Sequence, residues 1–284
     1  PRGPATPGFV ALGIALDRAP PVLWLAPLAA ALLPTWGWMG RRVLDGSGDP
    51  LGVLALATLL GLAWTCRGAL RAAPSLRWFA GALSGAVLAT AMQGGLPPLA
   101  CALIGLLAFG AALLALLPSG IACAPVLGLS LLSLPLLASL QFYAGYPLRV
   151  VTAEASRWLL MPAFAVERAG ASLQVDGRLV IVDAPCSGVQ MLWLGYFTAC
   201  VAALCAARTD RSFLPRLPVV GVLVLAGNVV RNAGLVAPEG GGGPRARPAR
   251  LRRGGAGARR GGAARHPRGG AGAGHGGRAD ARHP

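Results

Sequence analysis

The chain has 284 residues, of which 55% are hydrophobic and 13% charged, against about 25% charged in an ordinary soluble domain. That balance excludes a water-soluble globular enzyme and reads as a helical membrane protein. The net charge of +16 would ordinarily point to nucleic acid, but 11 of the 26 basic residues lie between Arg245 and Arg282, and residues 1–237 carry 15 arginines against eight acids, or +7; membrane loops supply such an excess, so nucleic acid is a poor partner.

Residues 1–21 form an N-terminal segment that opens on Pro1 rather than Met and reads as the start of a fragment. A spanning helix needs about 20 residues to cross roughly 30 Å of hydrocarbon. On that measure spans are expected at 22–40, 51–66, 78–94, 98–117, 121–145, 187–207 and 218–237. The fold class is therefore an all-α polytopic membrane protein with seven transmembrane helices, filling 22–237. No cleavable signal peptide is evident, and an internal first span makes one unnecessary. Lysine is absent; its codons are A-rich, which points to a GC-rich gene.

Orientation follows from arginine placement, because short cytoplasmic loops are enriched in basic residues. With the N-terminus inside, the loop after the second span (Arg67, Arg71, Arg77) and the loop after the sixth (Arg208, Arg211, Arg216, with Asp210) face the cytoplasm. The opposite loops balance their charges: Arg41 and Arg42 against Asp45 and Asp49, then Arg149, Arg157, Arg168 and Arg178 against Glu154, Glu167, Asp176 and Asp183.

The outer loop, 146–185, has internal pattern. Arg149, Thr152, Glu154, Ser156 and Arg157 alternate with Val150, Val151, Ala155, Trp158, Leu159 and Leu160, which predicts an amphipathic helix lying in the interface. Further on, Leu173-Gln174-Val175 and Arg178 through Val182 flank Asp176-Gly177, the signature of a small β-hairpin. That hairpin would deliver the following residues to the mouth of the sixth span; a structured linker with no further role is the competing reading.

Six cysteines occur, at 66, 101, 123, 186, 200 and 205. None stands in a CxxC pair or other metal-ligand spacing, so no metal and no cofactor is expected. Five lie in or at the ends of apolar runs and read as small buried hydrophobes. Cys186 alone has a polar setting, in Asp183-Ala184-Pro185-Cys186-Ser187-Gly188.

A thiol near pKa 8.5 becomes a nucleophile when a helix N-terminus or a cation favours its thiolate. Pro185-Cys186-Ser187-Gly188 would be such a start if the sixth span begins there, with Ser187 and Gly188 keeping the backbone accessible. Arg231 sits inside the last apolar run, near Asn228 and in the outward half of that span. An ionisable residue within a span is a functional candidate, and a guanidinium there is able to stabilise an oxyanion. The competing readings are a buried helix-end cysteine and an arginine that snorkels to the interface; spacing alone leaves both open.

Val180-Ile181-Val182-Asp183-Ala184-Pro185-Cys186-Ser187-Gly188-Val189-Gln190-Met191-Leu192, followed by Gly227-Asn228-Val229-Val230-Arg231-Asn232-Ala233-Gly234-Leu235, resembles the exosortase and archaeosortase family of membrane cysteine transpeptidases. The resemblance covers roughly 146–239; residues 1–145 agree only as hydrophobic spans. It implies an enzyme of the bacterial inner membrane with its active site on the outer face, surrounded by membrane lipid. Its partners would be exported proteins ending in a PEP-CTERM-like sorting signal, a short motif followed by a membrane helix and a basic cluster, in sorting linked to exopolysaccharide. By the same resemblance Cys186 is the nucleophile and Arg231 its catalytic partner, with Asn228, Ser187 and Gly188 in support. Thiolate attack would give an acyl-enzyme that passes to an amine or to water.

The resemblance also implies a catalytic histidine near the start of an eighth span. No histidine occurs in 1–237, and His266, His275 and His283 lie in a tail with no apolar run after them, so none takes the role and the chain as written is expected to lack its general acid. That tail, 238–284, is almost entirely Gly, Arg, Ala and Pro and is expected to be disordered. Its abrupt onset between Leu235 and Glu239 reads as a shifted reading frame rather than as a basic lipid- or RNA-binding tail.

Two functions from other classes compete with a transpeptidase. One is a permease subunit in which Arg231 and Asn228 bind an anionic solute; the other is a noncatalytic scaffold in polysaccharide export. A thiol at a loop-to-helix junction discriminates, since only the enzyme needs Cys186.

Overall fold

The computed structural model describes residue 20 and residues 22–45, 50–181 and 188–240. Two helices occupy the first expected span: α1, Val22–Ala31, and α2, Leu33–Leu44. They part at Leu32 (φ −91°, ψ 9°), with Pro34 in the first turn of α2. Proline has no N–H to carry the α1 ladder onward but is at ease in a first turn. The next three helices, α3 (Leu51–Thr65), α4 (Leu76–Ala91) and α5 (Pro98–Leu116), follow the expected spans closely.

Helix α5 is the centre of the bundle, with every residue from Gly105 to Leu116 buried except Leu107. Its neighbour α4 turns Ala82, Ala86 and Ala89 inward. Between them a Cβ on Gly85 would stand 2.9 Å from the Ala108 Cβ, the close backbone approach that small residues permit between apolar helices.

The fifth expected span, 121–145, is a correction. It is cut into α6, Cys123–Leu132, and the front of α7, Leu137–Leu160, which are bent by 90° at the break. Pro135 lies in the break and cannot donate to a helical ladder. The break is fixed from two sides: Trp193 donates its indole N–H to the Leu132 carbonyl at 3.2 Å, and Gly52 of α3 lies so close that a Cβ there would sit 2.6 Å from the Ser133 oxygen.

By length and composition, two helical stretches among the described residues are long and apolar enough to cross a membrane, Pro98–Leu116 and Asp210–Ala237, or three if the bent pair is one span. Leu51–Thr65, Leu76–Ala91 and Val189–Cys205 are apolar but shorter than the about 20 residues of a full crossing. Large apolar side chains nonetheless cover the outside of the bundle, among them Val53, Leu60, Leu83, Val87, Val222, Leu223 and Val230, as a lipid-facing surface requires.

The amphipathic helix expected around 149–160 exists as the back half of α7, but part of its polar set turns inward. Thr152 and Ser156 are buried, while Val151, Trp158 and Leu159 are exposed. The polar pair finds hydrogen-bond partners inside the bundle, so burial costs it little. A three-stranded antiparallel sheet follows, β1 (Val166–Ala169), β2 (Ser172–Val175) and β3 (Arg178–Ile181), in the order β1-β2-β3. The β2-β3 hairpin is the expected one, closed by Asp176 and Gly177 at φ 47° and 84°, the left-handed pair of a type I′ turn. Strand β1 was not expected; Gly170 at φ 64° turns it into β2. Leu173 and Val175 pack with Ala153 and Leu160 of α7 and with Ala233 and Val236 further along the chain. Glu154 adds a polar tie, pairing with Arg157 at 2.7 Å and with Arg168 of β1 at 2.6 Å.

The last elements are α8 (Val189–Cys205), a short α9 (Asp210–Phe213), a 3-10 turn (Leu214–Arg216) and α10 (Leu217–Gly240). Helix α10 runs three residues into the expected tail; the rest of that tail, its histidines, and residues 1–19 lie outside the described residues. Both arginine-rich loops meet at one end of the bundle. The Arg71 N–H donates to the Leu116 carbonyl, and Asp210 accepts from the N–H groups of Cys123 (3.2 Å) and Ala124 (2.7 Å). The start of α8 is at the other end, beside the α6–α7 break, through Trp193.

Candidate active site

Helix α8 begins at Val189, not at Pro185 or Ser187. Gly188 precedes it as a left-handed residue, φ 77°, and its carbonyl takes the first helical bond, from the Leu192 N–H at 2.8 Å. Left-handed backbone favours glycine, and a second constraint coincides with it. Gly188 is buried against α10, where a Cβ would lie 2.9 Å from the Asn228 Nδ2 and 3.0 Å from its Cγ.

Asn228 is 1% exposed and donates through Nδ2 to the Thr152 Oγ1 at 3.3 Å. One turn on, Asn232 repeats the pattern, its Nδ2 donating to the Ser156 Oγ at 3.1 Å. The Ser156 hydroxyl donates in turn to the Val229 carbonyl at 3.4 Å. Residues four apart share a helix face, so Thr152 and Ser156 on α7 meet Asn228 and Asn232 on α10 as a buried polar seam. Such interhelical bonds are worth about 0.6–2 kcal/mol each between membrane helices. Sequence reasoning singled out Asn228 but gave Thr152, Ser156 and Asn232 no role in the site. The signal available was the matching four-residue spacing of polar groups in two apolar helices.

Arg231 occupies the adjacent, exposed side of α10 rather than the protein interior. Its Nη1 lies 3.9 Å from the Met191 Sδ, in the first turn of α8. The structure therefore brings three expected site residues together: Gly188, Asn228 and Arg231, around the start of α8. A guanidinium beside a helix N-terminus makes a locally positive spot, which favours a thiolate or a developing oxyanion.

Cys186 and Ser187 lie outside the described residues, as do Val182 through Pro185. The segment 182–187 departs from Ile181, paired with Ser172, and arrives at Gly188. In the sequence Cys186 stands two residues before Gly188. Of the remaining cysteines, Cys101 and Cys200 are buried and Cys66 and Cys123 partly so, but Cys205 is exposed; as the last residue of α8 it has left the bundle interior. Among the described residues no three His, Cys, Asp or Glu side chains are grouped to hold a metal ion.

The sequence pattern of the family described as Transmembrane exosortase (Exosortase_EpsH) matches residues 22–248. No curated protein matches the chain, and no solved structure does.

Proposed function

The chain belongs to the transmembrane exosortase family, and from that premise we propose that it is a membrane cysteine transpeptidase acting on the C-terminal sorting signals of exported proteins. The observation that carries this reading is the packing of Gly188 on Asn228, with Arg231 reaching Met191 in the first turn of α8. Cys186 stands two residues before Gly188 in the chain, which supports giving it the nucleophile's role beside this guanidinium.

In this reading the Cys186 thiolate attacks the scissile carbonyl beyond the substrate's recognition motif. The Arg231 guanidinium stabilises the oxyanion, the leaving amine takes a proton from a water molecule as the C–N bond breaks, and the thioester passes to an acceptor amine or to water. Asn228 and Gly188 fix the entry to α8 against α10, and Ser187 keeps the nucleophile's flank small. No histidine of this chain is given the general-acid role. In this reading 22–237 lies in a bacterial inner membrane with the site on the outer face, where it serves the sorting of exported, exopolysaccharide-associated proteins.

The test is co-expression with an exported reporter that ends in a short motif, an apolar helix and a basic cluster. The full chain should convert the reporter to a shorter form, and Cys186→Ala at equal membrane abundance should leave it intact. An uncleaved reporter with the parent chain, or cleavage by Cys186→Ala, overturns the proposal.

A further inference from the structure

At the end of the bundle opposite Gly188, a cavity of about 320 Å³ lies between the last turns of α8 and the start of α10. That volume lies at the small end of ligand pockets, which run about 300–1,000 Å³. Its walls are apolar, with Ala199, Ala202 and Ala206 facing Val220, and two arginines, Arg208 and Arg216, stand on its lining.

The local chain path explains why the charges are there. Helix α8 ends with Ala207 left-handed at φ 47°, and the Arg208 N–H turns back to the Ala203 carbonyl at 2.9 Å, a Schellman-type closure. The closure keeps Arg208 at the end of α8, where it lines the cavity. The one carboxylate of this loop is engaged elsewhere, since both Asp210 oxygens accept N–H groups at the start of α6. Among the described residues the ion pairs found join Glu154 to Arg157 and Arg168, so neither Arg208 nor Arg216 has an acidic partner there.

We propose that this cleft holds a single anionic phospholipid, its phosphodiester between Arg208 and Arg216 and an acyl chain along Ala199 and Ala202 against Val220. The guanidinium fork matches phosphate oxygens, and basic pockets between membrane helices on the cytoplasmic side take anionic head groups. The apolar walls select a lipid over free phosphate, and the doubled positive charge disfavours a head group that carries its own cation. Seated there, the lipid wedges α8 against α10, the two helices that meet at Gly188 and Arg231. The proposal requires that the chain is a membrane protein with the Arg208–Arg216 loop on the cytoplasmic side, and it is independent of the transpeptidase reading.

Full-length protein purified in a nonionic detergent, studied by native mass spectrometry with added lipid, tests this. Phosphatidylglycerol should be retained about 10-fold more tightly than phosphatidylcholine, the scale of one charge-assisted contact. Arg208→Gln with Arg216→Gln should abolish that preference. Arg67→Gln with Arg71→Gln removes equal charge from the neighbouring loop and should preserve it. Ala202→Phe, which fills the cleft and keeps both arginines, should weaken retention and decides the matter if the double arginine variant does not fold. Equal retention of the two lipids, an equal loss in the Arg67/Arg71 variant, an unaffected Ala202→Phe protein, or displacement of the lipid by inorganic phosphate each overturn the proposal.

Discussion

Gly188 and Asn228 are packed so closely that a methyl group on the glycine would lie 2.9 Å from the asparagine Nδ2. The same glycine is left-handed, φ 77°, so Gly188→Ala meets both a clash and a backbone penalty of about 1–2 kcal/mol, with overpacking of about 1–3 kcal/mol added. The variant should lose about 2–5 kcal/mol of stability in mild-detergent unfolding, and processing activity with it. Gly227→Ala on α10, beside Asn228, where nothing lies within 4 Å of the new Cβ, should match the parent or exceed it.

The seam between α7 and α10 predicts a coupling. Removing one partner of a buried hydrogen bond leaves the other unsatisfied, at a cost of about 1–3 kcal/mol. Ser156→Ala and Asn232→Leu should each destabilise by that amount, and together by clearly less than their sum. A double-mutant cycle on unfolding checks this; strict additivity would mean that the 3.1 Å contact contributes nothing.

How much of this the sequence made visible depended on whether the determinant was local. The α5 boundaries were legible because Pro98 opens the helix and a proline, Pro118, follows it. The β2-β3 hairpin was legible because Asp176-Gly177 is a turn that encodes itself. The breaks at Leu32 and around Pro135 had a local signal, proline within an apolar run, which hydrophobicity masked. Strand β1 has no periodicity of its own and exists because β2 offers it an edge. The inward turn of Thr152 and Ser156 was beyond local reading, since the partners that make their burial tolerable lie 76 residues away. At the site, the motif named Gly188, Asn228 and Arg231, and the structure places all three around the start of α8; the helix start was placed early because the left-handed geometry of Gly188 depends on its packing.

Asp210 caps a helix to which it does not belong. Its two oxygens serve the Cys123 and Ala124 N–H groups at the start of α6, a role whose loss costs about 0.5–2 kcal/mol in helix caps generally. Asp210→Ala should lower the melting temperature accordingly. Asp210→Asn, which keeps one acceptor, should recover part of the loss; equal melting of all three proteins would contradict the assignment.

Topology is checked by two cysteines near opposite ends of one helix. Cys205 ends α8, at the arginine-rich end of the bundle, and Cys186 precedes its start. A membrane-impermeant maleimide applied to intact spheroplasts should reach Cys186 and spare Cys205, and inverted vesicles should give the converse. The opposite pattern would turn the site to the cytoplasm.

The central claim is that Cys186 and Arg231 belong to one site, and cross-linking tests it without requiring turnover. In a protein whose other cysteines are replaced by alanine, Arg231→Cys should be joined to Cys186 by a short bis-maleimide, read as protease-resistant linkage of fragments cut between them. Val219→Cys, about 18 Å further back along α10 at 1.5 Å per residue, should not be joined. Efficient linkage at 231 and none at 219 is the predicted result; no linkage at 231 in a folded, membrane-inserted protein, or equal linkage at both positions, would contradict the account.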